Sequence, residues 1–243
     1  MNGGHTLMGH EIVMEIARRL GNAIVLPVMP YSSNNASNQQ TGTLGLTADI
    51  EALVTERIAE QAIATGFTTV VLMNDHGGST GPNNTVAKKL EEKYRAPEFA
   101  DKNIHVFYAD RVYAPAQDDY SEKVLRARGL PVSGHAGISD TASMMYLGKG
   151  KGWVRTDLLP IAYQYGPDGK IATPPPPPVE GQARGRGNAD PNAPRFVASG
   201  ISGSGSDIGD ARKSTEALGK IQVDMKIDYA VKQIQATMAT FKK

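Results

Sequence analysis

The sequence predicts an α/β fold built on a largely parallel sheet, and two observations carry this prediction. Short apolar stretches alternate along the chain with segments of helical periodicity, which is the pattern of parallel strands joined by helices. The clearest buried strand, residues 68–74, runs directly into a glycine-bearing turn and then into a helix.

The remaining elements follow from periodicity and from turn signals. Apolar runs predict further strands at residues 23–29 and 103–109, and Pro27 suggests that the first of these is an edge strand or ends early. Helical spacing predicts helices at 9–20, 48–65, 84–94, 121–128, 139–147 and from 210 to about 241. In the second helix the residues predicted to face inward are Ile50, Leu53, Val54, Ile58 and Ala62.

Residues 173–207 interrupt this alternation. They contain the consecutive prolines Pro174–Pro178, followed by glycine- and arginine-rich sequence. A segment of this composition buries little apolar surface, so we expect an extended excursion there. The sequence thus predicts a single domain over residues 1–243 with an excursion at about 173–207.

Size and composition limit the classes of function. The chain has 243 residues, 40% of them hydrophobic, and a net charge of +1. It can bury a sizeable core, and its charge gives no indication of a nucleic-acid or membrane-surface partner. It has no cysteine, which excludes disulfides and thiolate metal sites. No apolar run approaches the ~20 residues that span a bilayer, and the polar start of the chain does not resemble a signal peptide.

The turn after the strand at 68–74 is the first candidate site. It contains Asn74-Asp75-His76-Gly77-Gly78, at a carboxyl end of the sheet, where ligands bind in open α/β folds. Glycines let the backbone approach a ligand closely, and an imidazole held there suits metal coordination or proton transfer. From the pattern alone, a tight turn with an incidental histidine is an equally good interpretation.

Two other clusters contain candidate ligands. His135 and Asp140 lie five residues apart across a predicted helix start, where Asp140 could bind a metal and His135 could transfer a proton. Taken alone, this pattern favours a capping aspartate and a polar turn residue. Near the start of the chain lie His5, His10 and Glu11. Because neighbouring residues on a helix point about 100° apart, His10 and Glu11 do not easily bind one ion together.

Three segments together resemble the creatininase (creatinine amidohydrolase) family. They are GGHTLMGHEIVMEIARRLGNAIVLPVMPY at 3–31, NDHGGSTGPN at 74–83 and GHAGISDTASMMYL at 134–147. The order and spacing of the segments make the resemblance specific, and Asn2-Gly3-Gly4-His5 is similar to a divergent branch with an E-x-N-G-x-H opening. The resemblance implies a three-layer α/β/α fold, a homo-oligomer (a hexamer in many members) and a small-molecule amide substrate.

The resemblance also implies a chemistry and the residues that perform it. It implies one or two divalent ions, zinc or manganese, and a metal-activated water that attacks a cyclic or linear amide. By position, the implied metal ligands are His76, Glu11, Asp140 and His5, the implied catalytic residues are His135 and Asp140, and the implied substrate contacts are Asn2, Gly77, Gly78 and His135. Trp153 could cover the pocket as tryptophans do in creatininase, although ordinary packing is the favoured interpretation.

The sequence also departs from the family pattern. The first glutamate ligand of the family would fall before Met1, the next ligand falls on Asn2, and Gly78 stands where creatininase has a glutamate. We expect an N-terminally truncated chain, which leaves the compartment open between cytoplasmic and, with a missing leader, periplasmic or secreted. The alternatives are a chain that binds one metal or none, a repurposed binding or assembly protein, and a lactonase or deformylase-type hydrolase.

Overall fold

A computed structural model of the chain describes residues 4–33, 44–132, 137–161 and 211–241. These residues belong to two compact units. The sheet unit contains residues 4–33, 44–120 and 222–241, and the second unit contains residues 121–132, 137–161 and 211–221. The predicted excursion at 173–207 lies outside the described residues, and the single domain over residues 1–243 stays a prediction.

The described residues are mainly helical. The helices are α1 (Gly4–Leu20), α2 (Ala48–Ala64), α3 (Thr80–Tyr94), α4 (Ala114–Tyr120), α5 (Ile138–Leu147) and α6 (Glu216–Met238). The strands are β1 (Thr69–Leu72) and β2 (His105–Tyr108). Short helical turns cover Gly77–Ser79, Pro97–Lys102, Ser121–Leu125, Arg126–Arg128, Thr156–Ile161 and Ala211–Lys213. The predicted helix at 121–128 is thus a π-helical turn followed by a 3₁₀ turn.

The two strands form the centre of the sheet unit. They are parallel, with Thr69 opposite His105 and Leu72 opposite Tyr108. Because α3 connects the two strands, the segment is a βαβ crossover, the unit that joins parallel strands. This arrangement confirms the predicted α/β fold with its parallel sheet.

The core of the sheet unit lies between this crossover and α2. In α3 the apolar residues Val86, Leu90 and Tyr94 recur every four positions, so one face of the helix turns inward. They pack with Ala59 of α2 and Val106 of β2. A carboxylate oxygen of Glu91 also accepts a hydrogen bond of 2.7 Å from the Val106 backbone N–H, so α3 is joined to β2 by polar as well as apolar contacts.

Two predictions about the sheet unit are wrong. Residues 23–29 form no strand, because no strand among the described residues pairs with them, and Ile24 is 66% exposed. The inward face of α2 is also different: Ile50, Leu53 and Ile58 are exposed, whereas Glu51 and Ala59 are buried. The small side chain of Ala59 allows α2 to pack closely on α3. Packing on α3 determines which face of α2 turns inward, and the periodicity of the α2 sequence does not identify α3 as the partner.

The second unit is held by close backbone packing. A Cβ atom at Gly219 of α6 would overlap the backbone carbonyl of Ala142 in α5, so the glycine permits the contact between these helices. A Cβ atom at Gly148 would come within 2.8 Å of the Trp153 side chain. Trp153 therefore packs on the end of α5, as the packing interpretation predicted.

None of the described helices combines the length and the apolar character needed to cross a membrane.

Replacing Leu90 with alanine tests the core of the sheet unit. Leu90 is completely buried, so Leu90→Ala removes packed methyl groups and should lower the free energy of unfolding by about 2–5 kcal/mol. Urea denaturation measures the change. The matched control is Leu53→Ala, at a leucine that is 67% exposed, which should change the free energy by less than about 0.5 kcal/mol. Equal effects of the two substitutions would contradict this description of the core.

Candidate active site

The candidate site lies in the sheet unit at the carboxyl end of β1. The chain leaves this strand through Asn74, Asp75 and His76, and the turn Gly77–Ser79 then leads into α3. A cavity of about 560 Å³ opens here, bounded by α1, α2, β1 and residues 24–32. Its polar end contains His5, Ser32, Asp75 and His76, and its other walls are mainly apolar.

Asp75 is the centre of the polar end. Its side chain is only 9% exposed, and its Oδ1 atom lies 2.5 Å from the ammonium nitrogen of Lys226 in α6. Its Oδ2 atom lies 3.1 Å from Nδ1 of His5 in α1. Burial alone would raise the pKa of Asp75, but the charge of Lys226 and the hydrogen bond from His5 outweigh burial and lower the pKa below its usual value. Asp75 is therefore a carboxylate near neutral pH.

This carboxylate determines where His5 carries its proton. An ionised carboxylate only accepts hydrogen bonds, so the Nδ1 atom of His5 must donate to Asp75. In the neutral imidazole the other nitrogen, Nε2, then has the lone pair. In the neutral ring the basic nitrogen of His5 is therefore Nε2.

His76 has the opposite tautomer. Its Nδ1 atom accepts a hydrogen bond of 3.2 Å from the backbone N–H of Gly78 and lies 3.0 Å from Oγ of Ser32. Because a backbone N–H can only donate, the neutral ring carries its proton on Nε2. The rings of His5 and His76 lie edge to face with their centroids 5.8 Å apart. One imidazole of this pair can accept a proton and the other can donate a hydrogen bond.

The two glycines after His76 allow this close packing. A Cβ atom at Gly78 would overlap the backbone carbonyl oxygen of Ser33 and would lie 3.0 Å from the His76 ring. A Cβ atom at Gly77 would lie 3.1 Å from the hydroxyl of Tyr113. The glycine backbone thus lies close to other residues of the protein, whereas the sequence predicted a close approach to a ligand. The substrate contacts predicted for Gly77 and Gly78 stay predictions.

The remaining predicted site residues lie in several places. Glu11 is on α1 but is not among the residues that line the cavity. Asp140 lies in the first turn of α5, in the second unit. Asn2 and His135 are outside the described residues. Of the predicted residues in the sheet unit, the structure brings together His5 and His76, with Gly77 and Gly78 beside them.

Sequence reasoning did not select Asp75, Ser32 or Lys226 as site residues. Asp75 lies inside the motif that identified His76. Lys226 could have been recognised from the sequence, because it falls within the stripe of buried residues on α6 that includes Val223, Ile227 and Ala230. Lysine is almost never fully buried unless it is paired. A lysine within such an apolar stripe therefore predicts a buried acidic partner.

The side chains at this site do not by themselves complete a site for a divalent metal ion. Within residues 4–33, 44–132, 137–161 and 211–241, no three histidine or carboxylate side chains are placed to hold one ion. The Asp75 carboxylate is already paired with an ammonium group, and the Nδ1 atom of His76 accepts a backbone hydrogen bond. The Nε2 atom of His5 has a single lone pair, which can bind a cation or accept a proton but not both at once, so in a reaction in which His5 accepts a proton it does not also hold the ion.

The Asp75–Lys226 pair predicts a pH-dependent contribution to stability. Because folding lowers the pKa of Asp75, the contribution is present above the unfolded pKa of about 3.9 and is lost as the pH falls through the folded pKa. Asp75→Asn should lower the free energy of unfolding at pH 7 by about 3–5 kcal/mol, because it leaves a buried ammonium unpaired. Urea denaturation of both proteins at pH 7 and pH 3 should show this difference shrinking at the lower pH.

The control for this experiment is Asp228→Asn. Asp228 is a half-exposed aspartate on the same helix as Lys226, and it pairs with Arg19 at the surface. Its loss should change the free energy by about 1 kcal/mol or less. A constant difference between Asp75→Asn and wild type at both pH values would show that the carboxylate is not ionised in the folded protein.

Comparison with known proteins identifies the family. Residues 2–234 match the family model Creatininase, described as creatinine amidohydrolase. No curated protein sequence matches the chain. Among solved structures, a manganese creatininase has 17% identity and a TM-score of 0.68 over 99% of this chain and 84% of that chain.

Two other solved structures show the same fold. A mutant creatininase of the Zn–Zn type has 16% identity and a TM-score of 0.62, over 99% of this chain and 84% of that chain. A Bacteroides fragilis protein described as a creatinine amidohydrolase has 17% identity and a TM-score of 0.63, over 98% of this chain and 83% of that chain. With a family model that spans nearly the whole chain and an α/β architecture shared with these structures, the chain belongs to the creatininase family.

Proposed function

We propose that the chain hydrolyses the carbon–nitrogen bond of a small cyclic or linear amide and that it requires a divalent cation, zinc or manganese. Family membership supports an amidohydrolase-like function, and the manganese and Zn–Zn creatininases of the same fold support the cation. The observation that carries the proposal is the pair of imidazoles at the polar end of the cavity, in which Nδ1 of His5 contacts a carboxylate and Nδ1 of His76 accepts a hydrogen bond from a backbone N–H. The cation would activate water and polarise the amide when bound.

The chain's own residues can transfer the protons that amide hydrolysis requires. The Nε2 atom of His5 accepts a proton from water as the water oxygen bonds to the amide carbon. The N–H at Nε2 of His76 donates a hydrogen bond to the carbonyl oxygen, where negative charge develops. When the carbon–nitrogen bond breaks, His5 returns its proton to the leaving nitrogen, so that both imidazoles finish in their starting states.

The cavity supports a small substrate. A volume of about 560 Å³ lies within the range of small-molecule sites, which are mostly apolar with a few placed polar groups. The apolar walls include Val25, Leu26, Ile58 and Val71, and they offer a surface for the apolar part of a small molecule. This distribution supports a reaction at the histidine end, with the apolar part of a substrate along β1.

His76→Ala tests the proposed activity. With creatinine as the first substrate and other small cyclic amides beside it, the variant should lose about 100-fold or more in kcat, because it removes a hydrogen-bond donor at the developing charge. The matched control is His10→Ala, at an exposed histidine of α1, which should retain wild-type kcat. Hydrolysis by the wild type that His76→Ala leaves unchanged would contradict the proposed site. No hydrolysis of any amide by the folded wild type would favour the repurposed binding or assembly protein.

Metal content tests the cation separately. Inductively coupled plasma mass spectrometry of the gently purified protein should find zinc or manganese bound stoichiometrically. Treatment with a chelator should abolish hydrolysis, and either ion should restore it. Activity that survives complete removal of metal would contradict the cation requirement and would leave the proton transfer by the two histidines as the mechanism.

A further inference from the structure

Lys226 is a buried cation at the edge of the candidate site. The residue is 5% exposed, and it lies on the face of α6 that also buries Val223 and Ile227. A charge in such a position is retained only with a partner, because desolvation of an ammonium group costs several kcal/mol. Its partner is Asp75, with Nζ and Oδ1 2.5 Å apart.

The two oxygens of Asp75 have separate partners. Oδ1 contacts Lys226, and Oδ2 contacts Nδ1 of His5. The ammonium group thus holds one oxygen and thereby fixes the rotation of the carboxyl group, which directs the other oxygen at the imidazole. The helix α1 lies close to Asp75 here, since a Cβ atom at Gly9 would be in ordinary contact with Cβ of Asp75 at 3.8 Å.

We propose that Lys226 is a positioning residue of the active site: it holds Asp75 in the orientation that keeps the His5 proton on Nδ1 and the lone pair on Nε2. Lys226 does not contact the substrate in this role. It acts through Asp75 on the histidine that accepts the proton from water. The catalytic consequence rests on the proposed function, whereas the effect on the His5 tautomer does not.

The tautomer of His5 is the direct test. Long-range ¹H–¹⁵N NMR spectra of the full-length chain, with its histidine side chains labelled and His5 assigned by its loss in His5→Ala, distinguish a protonated Nδ1 from a protonated Nε2. Wild type should show His5 protonated on Nδ1, and Lys226→Met should move the signal toward the Nε2-protonated form. An unchanged His5 spectrum in folded Lys226→Met would overturn the proposal.

The matched control is Lys232→Met. Lys232 lies six positions further along the same helix and is exposed, so the same substitution there should leave both the His5 spectrum and hydrolysis of creatinine unchanged. An equal change of the His5 tautomer in Lys232→Met would show an unspecific effect of the helix and would overturn the proposal.

A double substitution separates positioning from mere support of the fold. Asp75→Asn with Lys226→Met removes both buried charges, so its midpoint of urea unfolding should recover relative to Lys226→Met alone. Creatinine hydrolysis should nevertheless stay about 10- to 100-fold below wild type, the usual loss when a partner that orients a reacting group is removed. Recovery of both stability and activity would show that the pair only supports the fold and would overturn the positioning role.

The proposal and the proposed function fail in different ways. If wild type hydrolyses neither creatinine nor another amide, the proposed function falls, and the NMR spectra still decide whether Lys226 sets the tautomer of His5. If wild type is active but its His5 is protonated on Nε2, the positioning role falls and the activity stands.

Discussion

The buried ion pair between Asp75 and Lys226 is the constraint on which the candidate site depends. Neither buried charge is stable without a partner, so the end of β1 and the middle of α6 must meet at one place. The second oxygen of the same carboxylate fixes His5 in α1. Three elements that are far apart in the sequence are therefore aligned by a single carboxyl group, and the geometry of the site follows from this alignment.

The chemistry of the two histidines is set by their neighbours. In a neutral histidine either ring nitrogen can carry the proton. At His5 a carboxylate selects one nitrogen, and at His76 a backbone N–H selects the other. The tight turn that places the Gly78 backbone against its own histidine requires a residue without a side chain at that position. The glycine-bearing turn after β1, which in the sequence resembles a ligand-binding loop, therefore also orients the His76 ring.

The features that could be predicted from the sequence are the local ones. The βαβ crossover from β1 through α3 to β2 was predicted because strand and helix periodicities, and the turn between them, are visible in neighbouring residues. The strand at 23–29 was wrong because pairing depends on a partner elsewhere in the chain. In the site, His5 and His76 followed from motifs, but the partnership with Lys226 crosses 151 positions. In the sequence near Lys226, the feature that indicates this partnership is the position of a lysine within an apolar stripe.

The position of Lys226 in the chain also has a consequence for biosynthesis. Asp75 leaves the ribosome 151 residues before Lys226, a delay of roughly 8–30 s at typical translation rates of about 5–20 residues per second. The crossover formed by β1, α3 and β2 contains short-range contacts and can form during this interval. The carboxylate stays hydrated until α6 arrives, so the candidate site is assembled late, after most of the polypeptide that surrounds it has been made.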